Sequence, residues 1–300
     1  LAAYKFNAFH LHLTDNPGWR LESSLYPQLK DSTSMSRWPG KYYTREEFRE
    51  LVAYCRERHI TLIPELDVPG HCAAFRKAMG LGTMHDPRVK TILSDLVLEL
   101  CGMATAEEMP YIHLGTDEVR HDHEKPAPGM LSHLVDLVRE QGREVIVWRP
   151  GQTIENDSLS ITQLWSSNGN PKPGHRYLDS RLNYLNHLDP LAGIYQLYFD
   201  RICGARQGDS LRLGGILCCW NDNLVTQERD ILLHNPVYPG IVTYSETSWT
   251  GDPNNYGEKF LARLPLRGDS AENGYFEKFR EFEARLIRHR DLYFRGKPFP

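Results

Sequence analysis

Along this chain, short apolar runs of strand length alternate with longer stretches whose apolar residues recur at helical spacing. The strand-like runs are residues 5–13, 60–68, 111–116, 144–148, 160–165, 181–186 and 213–220. Between them lie helical stripes: Phe48, Leu51, Val52 and Cys55, then Val89, Ile92, Leu93, Leu96, Val97 and Leu100, then Leu131, Leu134, Val135 and Val138. A last stripe, Tyr275, Phe279, Phe282 and Leu286, belongs to a C-terminal helix over 275–290. Thr44 with Glu47 three residues on forms a capping box ahead of the first stripe, Asp86-Pro87 opens the second, and Gly102 closes it. Strand–helix alternation specifies a parallel sheet with crossover helices. The apolar start of the 60–68 run suits a strand covered on both faces.

An open doubly wound sheet and a closed barrel both satisfy this pattern. The first strand is not followed by a glycine-rich phosphate loop, which favours the α/β barrel, (β/α)8 or TIM type. Such a barrel needs eight strands and seven are visible. The expectation is therefore one barrel over residues 1–300, trimmed at both ends, with its first strand lying ahead of Leu1. In that case an open place stands between runs 5–13 and 213–220.

The charge of −4 on 300 residues argues against a nucleic-acid partner. No apolar run reaches membrane-spanning length. The six cysteines form no Cys-x-x-Cys pair; Cys55 and Cys101 fall on apolar helix faces, as buried small hydrophobes do.

Polar and aromatic residues collect where the runs end: His10, His12 and Asp15; Asp67 and His71; Asp117 and Glu118; Trp148; Trp165; Tyr184 and Asn186; Trp220 and Asp222. Strand ends are where a parallel barrel gathers its chemistry. Successive strand residues point to opposite faces, so Asp117 and Glu118 can serve one site only if the backbone turns there, which Gly115 permits. Taken singly, an Asp-Glu pair is commonly a helix cap, a lone His a structural one, and a strand-end Trp part of the core. All seven ends together describe an aromatic-walled pocket with two acids at its floor. Aromatic faces stack on sugar rings, polar groups meet hydroxyls, and acids beside apolar rings have raised pKa values. The residues thus point to cleavage of a glycoside. A metal-dependent hydrolase is the alternative, with His10, His12, His71, His113 and Asp117 as ligands; a barrel that binds amino sugars without cleaving them is another.

Three segments resemble the β-N-acetylhexosaminidases of glycoside hydrolase family 20, in order and over nearly the whole chain. They are Lys5-Phe6-Asn7…His10-Leu11-His12-Leu13-Thr14-Asp15…Gly18-Trp19-Arg20, then Pro64-Glu65-Leu66-Asp67-Val68-Pro69-Gly70-His71, then His113-x-Gly115-x-Asp117-Glu118. The resemblance implies a retaining, exo-acting enzyme that removes terminal GlcNAc or GalNAc by substrate-assisted catalysis, without cofactor or metal. The partner it implies is an N-acetylhexosamine-terminated oligosaccharide or glycoconjugate, met in the periplasm or outside the cell. It makes Glu118 the general acid and base, Asp117 the residue that orients the acetamido group, and Tyr184 a hydrogen-bond partner of the acetamido oxygen. Trp148, Trp165 and Trp220 would enclose the sugar, Asp15 and Asp222 would face its hydroxyls, and His71 and His113 would orient the acids. The chain departs from the family at Asn186, where many members have Asp, and at Asp222, where many have Glu. The family's sugar-binding arginine belongs to the first strand.

Overall fold

The structure, a computed structural model, describes residues 1–155, 157–186, 189–205, 207–221, 225–251, 273–296 and 299. The chain separates into two compact units, Leu1–Leu164 with Asn168–Arg176, and Trp165–Ser167 with Tyr177–Pro300.

In the first unit, strand β1 (Ala8–His12) runs into a small antiparallel pair, β2 (Thr14–Asp15) and β3 (Gly18–Trp19). Helix α1 (Arg45–Arg56) follows, then β4 (Thr61–Glu65), α2 (Ala73–Met79), α3 (Pro87–Cys101), β5 (Tyr111–His113), α4 (Met130–Glu140), β6 (Glu144–Arg149) and β7 (Ser160–Leu164). The strands lie in the order β1-β4-β5-β6-β7 and every neighbouring pair is parallel. The expected capping box starts α1: Thr44 accepts from the Glu47 N–H, and Glu47 accepts from the Thr44 N–H at 2.8 Å. Asp86 caps α3, with Pro87 in its first turn where no N–H is needed.

Strand alternation sorts the sheet into two faces. Leu62, Leu66, Ile112, Leu114, Val145 and Val147 join Phe48, Val52, Leu93, Leu134 and Val138 from the helices in one hydrophobic core. His10, His12, Glu65, His113 and Trp148 occupy the opposite face. The register sets His12 beside Glu65, and Glu65 beside His113. Five strand-end residues of polar or amphipathic character therefore share one layer because the strands pair in this register.

The second unit holds β8 (Tyr177–Asp179), α5 (Pro190–Phe199), β9 (Arg212–Gly215), α6 (Ile231–His234), α7 (Val237–Thr250) and α8 (Asn273–Tyr293). Strands β8 and β9 pair in parallel with a register shift between Tyr177 and Leu178. Phe279, Phe282 and Leu286 of α8, three of the four residues of the expected stripe, pack with Phe199 of α5 as a separate core; the Tyr275 side chain lies outside the described residues.

The strand expected at 181–186 is displaced: the regular strand is β8, and the chain turns directly after it. The Asp179 carboxylate accepts from the Arg181 guanidinium at 2.9 and 2.8 Å, and the Asp179 carbonyl accepts from the Asn183 side chain at 2.8 Å. Such local side-chain bonds offer the backbone an alternative to the sheet ladder. Tyr184 returns to a single parallel bridge with Cys218. Likewise the run expected at 213–220 is regular only over β9. Seven parallel strands occur among the described residues, one short of a closed eight-stranded barrel. Among the described residues no helix is long and apolar enough to cross a membrane.

Candidate active site

Strand β5 ends at His113, and its backbone then leaves the extended region. Gly115 sits at φ +67°, Thr116 at +90° and Glu118 at +44°. Positive φ in non-glycine residues is strained and marks sites that the surroundings hold in place. Here the surroundings are visible. The Trp148 N–H donates to the Gly115 carbonyl at 2.7 Å, and the Gln152 N–H to the Thr116 carbonyl at 2.7 Å. A Cβ at position 115 would overlap the Asp67 carboxylate, so only glycine fits. This is the turn that the adjacent acids require.

The turn brings Asp117 and Glu118 to one imidazole. His71 Nε2 lies 3.4 Å from Glu118 Oε2 and 3.9 Å from Asp117 Oδ2. Its Nδ1 lies 2.8 Å from Asp15 Oδ1. His71 itself is held at φ +53° after Pro69-Gly70, and the Gly70 backbone packs against the Asp117 carbonyl. Asn16, next to Asp15, accepts from the Ala73 N–H at 3.0 Å and so fixes the far side of the His71 loop. On the other side of Glu118, Oε1 accepts from Arg120 Nη2 at 2.5 Å.

Behind this pair lies a buried cluster around Glu65. Glu65 Oε1 accepts from the Trp148 indole N–H at 2.7 Å and lies 3.3 Å from His113 Nδ1. Glu65 Oε2 is 2.8 Å from His12 Nδ1 and 2.8 Å from His10 Nε2. The His10 and His113 rings stack at 4.6 Å. His12 links the cluster to the site, since its Nε2 lies 3.5 Å from Asp15 Oδ2. A chain of contacts thus runs from Glu118 through His71, Asp15 and His12 to Glu65.

Burial and charge divide the acids into two kinds. Burial alone would raise the Glu65 carboxyl, but the charges of His113, His12 and His10 hold it well below the usual carboxylate range. Asp15 is also held well below that range: burial opposes this, and hydrogen bonds to His12 and His71 outweigh it. Asp67 goes the other way, raised by burial and by the charges of Asp117 and Glu65. Asp117 is pushed up to about 6, mainly by burial, with His71 opposing and Glu65 adding to the rise. Among the imidazoles, burial brings His113 down to about 4. His12 and His71 are raised despite burial, His12 chiefly by the Glu65 charge and His71 chiefly by its Asp15 hydrogen bond. Pairs of groups whose pKa values are driven apart are a sign of acid–base chemistry.

The first unit therefore gathers Asp15, His71, Asp117 and Glu118 in one place. Two further expected site residues, His113 and Trp148, lie in the layer around Glu65. His113 does not reach the acids: it is fully buried, beside Glu65, and accepts from the Gly115 N–H through Nδ1 at 3.0 Å. Trp148 is not an open wall. It is 3% exposed, with its indole N–H committed to Glu65, because β6 directs it to the same layer as His113. Glu65, the hub of the cluster, was missed as a site residue. Its place follows from strand register, which sets Glu65 at the end of β4 beside His12 and which no single segment announces. In the second unit, Asn186 accepts from the Trp220 N–H at 2.9 Å, next to the Tyr184–Cys218 bridge. Trp165 belongs to that unit and is half-buried. Asp222 lies outside the described residues.

Three sets of side chains have potential ligand atoms within 4.8 Å of one another: His10, Glu65 and His113; His12, Glu65 and Asp67; and Asp67, His71 and Asp117. In the first two, Glu65 already meets imidazole and indole nitrogens, the arrangement of a hydrogen-bond network.

The profile described as "Glycosyl hydrolase family 20, catalytic domain" matches residues 1–91. A β-N-acetylhexosaminidase of Cellulomonas fimi is 32% identical over 197 residues, 58% of this chain and 39% of that protein. Beta-hexosaminidase 3 of Arabidopsis thaliana is 26% identical over 319 aligned positions, 89% of this chain and 57% of that protein. Among solved structures, the β-N-acetylhexosaminidase of Bacteroides fragilis has the same fold, with a TM-score of 0.66 and 22% identity over 94% of this chain and 65% of that one. The chain thus spans less than two thirds of each of these relatives.

Proposed function

We propose, from the likeness to glycosyl hydrolase family 20, that the chain carries the catalytic barrel of a retaining, exo-acting β-N-acetylhexosaminidase. Its substrate class would be oligosaccharides and glycoconjugates ending in a β-linked GlcNAc or GalNAc. The observation that carries the proposal is the Asp117–Glu118 pair on its strained turn, gathered by His71.

Two adjacent acids cannot act as separate nucleophile and acid on opposite sides of one bond in the usual retaining manner. They can divide a different labour. Glu118 protonates the glycosidic oxygen as the substrate's acetamido oxygen attacks the anomeric carbon and the bond to the leaving group breaks. The result is an oxazolinium intermediate, whose positive charge Asp117 stabilises while it holds the acetamido N–H. Asp117 Oδ1 has no hydrogen-bond partner among the described residues, and a substrate amide would supply one. Glu118, now a carboxylate, then takes a proton from water as the water opens the intermediate on the original face. Two inversions give net retention.

His71 and Asp15 serve as positioning residues in this scheme: Asp15 fixes the ring that stands between the two acids. For Tyr184, Trp165, Asn186, Trp220 and Asp222 we propose the sugar-contacting roles that likeness to the family implies, residue by residue. Replacing Glu118 by Gln should lower turnover of an unactivated disaccharide by about 10²–10⁴-fold. Added azide should partly restore turnover of substrates with good leaving groups, which need no acid. Near-native hydrolysis of the disaccharide by the variant would remove Glu118 from this role.

A further inference from the structure

The Glu118 carboxylate is bracketed. His71 stands against one oxygen at 3.4 Å and Arg120 against the other at 2.5 Å. Both carboxylate oxygens are therefore engaged, and a general acid must present one of them to the glycosidic oxygen, so one of the two partners must withdraw when substrate is bound. His71 is poorly placed to move: it is mostly buried and is tied to Asp15 at 2.8 Å. Arg120 is free to swing, with a side chain 67% exposed.

Its base, by contrast, is fixed. The backbone N–H groups of Arg120 and His121 both donate to Glu124 Oε2 at 2.9 Å. The Met84 N–H donates to the His123 carbonyl at 2.7 Å, which ties the same loop to the body of the first unit. An exposed guanidinium thus hangs from an anchored loop next to the acid. In the proposed scheme Glu118 meets the glycosidic oxygen, so a guanidinium bonded to its carboxylate stands within reach of the leaving group. A guanidinium has five N–H donors in a planar fork suited to an oxyanion, and only the bond to Glu118 engages it here.

We propose that Arg120 is a specificity-determining residue for the leaving group, selecting aglycones that carry an oxyanion near the scissile bond. The oxyanion, a sulfate or a carboxylate on the penultimate sugar, exchanges with Glu118 for the guanidinium. The exchange leaves Glu118 Oε1 open to the glycosidic oxygen. The substrate that fits the site therefore also releases the acid. This inference rests on the glycosidase reading above and adds the chemistry of the group that leaves.

The test uses matched disaccharides on the full protein: GlcNAc β-linked to a neutral hexose, to the same hexose bearing a 6-sulfate, and to the corresponding uronic acid. Turnover of the neutral disaccharide establishes the glycosidase reading, and its complete absence with all three would refute that reading rather than this one. Given turnover, kcat/KM for at least one anionic disaccharide should exceed the neutral one by roughly 3- to 10-fold at low salt, and the ratio should shrink as salt is added. Which of the two anionic arms responds identifies the oxyanion. Arg120→Gln should bring the ratio to about 1, whereas Arg120→Lys should keep part of it as a point charge without the fork. Equal kcat/KM for all three disaccharides in the unaltered protein would overturn the inference without need of a variant. So would a preference that survives Arg120→Gln.

Discussion

At the scale of single residues, the site is governed by what surrounds each carboxylate. Asp117 is pushed up to about 6 by burial, so it titrates inside the working range of many enzymes. Its charged form is the one that stabilises an oxazolinium, so kcat/KM of the free enzyme should fall as pH drops through about 6. The same shift is a stability statement. The folded chain binds a proton at Asp117 more readily than the unfolded chain, so this residue disfavours folding above about pH 6 and ceases to do so near pH 4. Asp117→Asn should therefore raise stability at pH 7.5 by on the order of 1–3 kcal/mol, and change it little near pH 3.5. Thermal unfolding at the two pH values checks this; a variant less stable at pH 7.5 than the unaltered protein would contradict it. The acid pair and its glycine were legible in the sequence because the chemistry needs those residue types side by side. Glu65 and the altered placing of Trp148 were not. They depend on strand register, and register is a property of pairing between distant segments.

At the scale of elements, the turn after β5 is the part on which the acids depend. Gly115 combines a positive φ with direct contact to Asp67. Gly115→Ala should cost about 2–4 kcal/mol, from backbone strain plus displacement of a buried carboxylate, and should abolish turnover even where the protein still folds. The helix α1 cap offers a contrast far from the chemistry. Thr44→Ala should cost about 1 kcal/mol and leave kcat unchanged. Denaturant titration with parallel kinetics separates the two effects. Helices α1, α3, α4 and α8 were readable because each has one apolar stripe, and α1 and α3 also have a side-chain cap. Helix α7 was not, since Pro239 and Gly240 fall inside it and its polar and apolar residues are mixed. The turn at Asp179–Asn183 displaced β8 for a related reason. Side-chain bonds to backbone are local, but nothing in the alternation of 181–186 announces them.

At the scale of the whole molecule, strand–helix alternation was enough to read the class of fold and the number of strands, because crossover connections leave few other arrangements. The first unit followed the sequence closely; the second, where regular strands are short and polar turns frequent, followed it less. The proposed chemistry uses the substrate's own acetamide and the chain's acids, so prolonged treatment with a chelator should leave turnover unchanged. Loss of activity that stoichiometric zinc restores would favour the metal-dependent reading of the His and carboxylate cluster. The most direct test of the central claim compares two chromogenic substrates that differ only at the 2-position. The 4-nitrophenyl N-acetyl-β-glucosaminide should be hydrolysed at least about 10²-fold faster than the 4-nitrophenyl β-glucoside, because only the first brings an intramolecular nucleophile. Comparable rates for the two would contradict the account, whatever the fate of the acids.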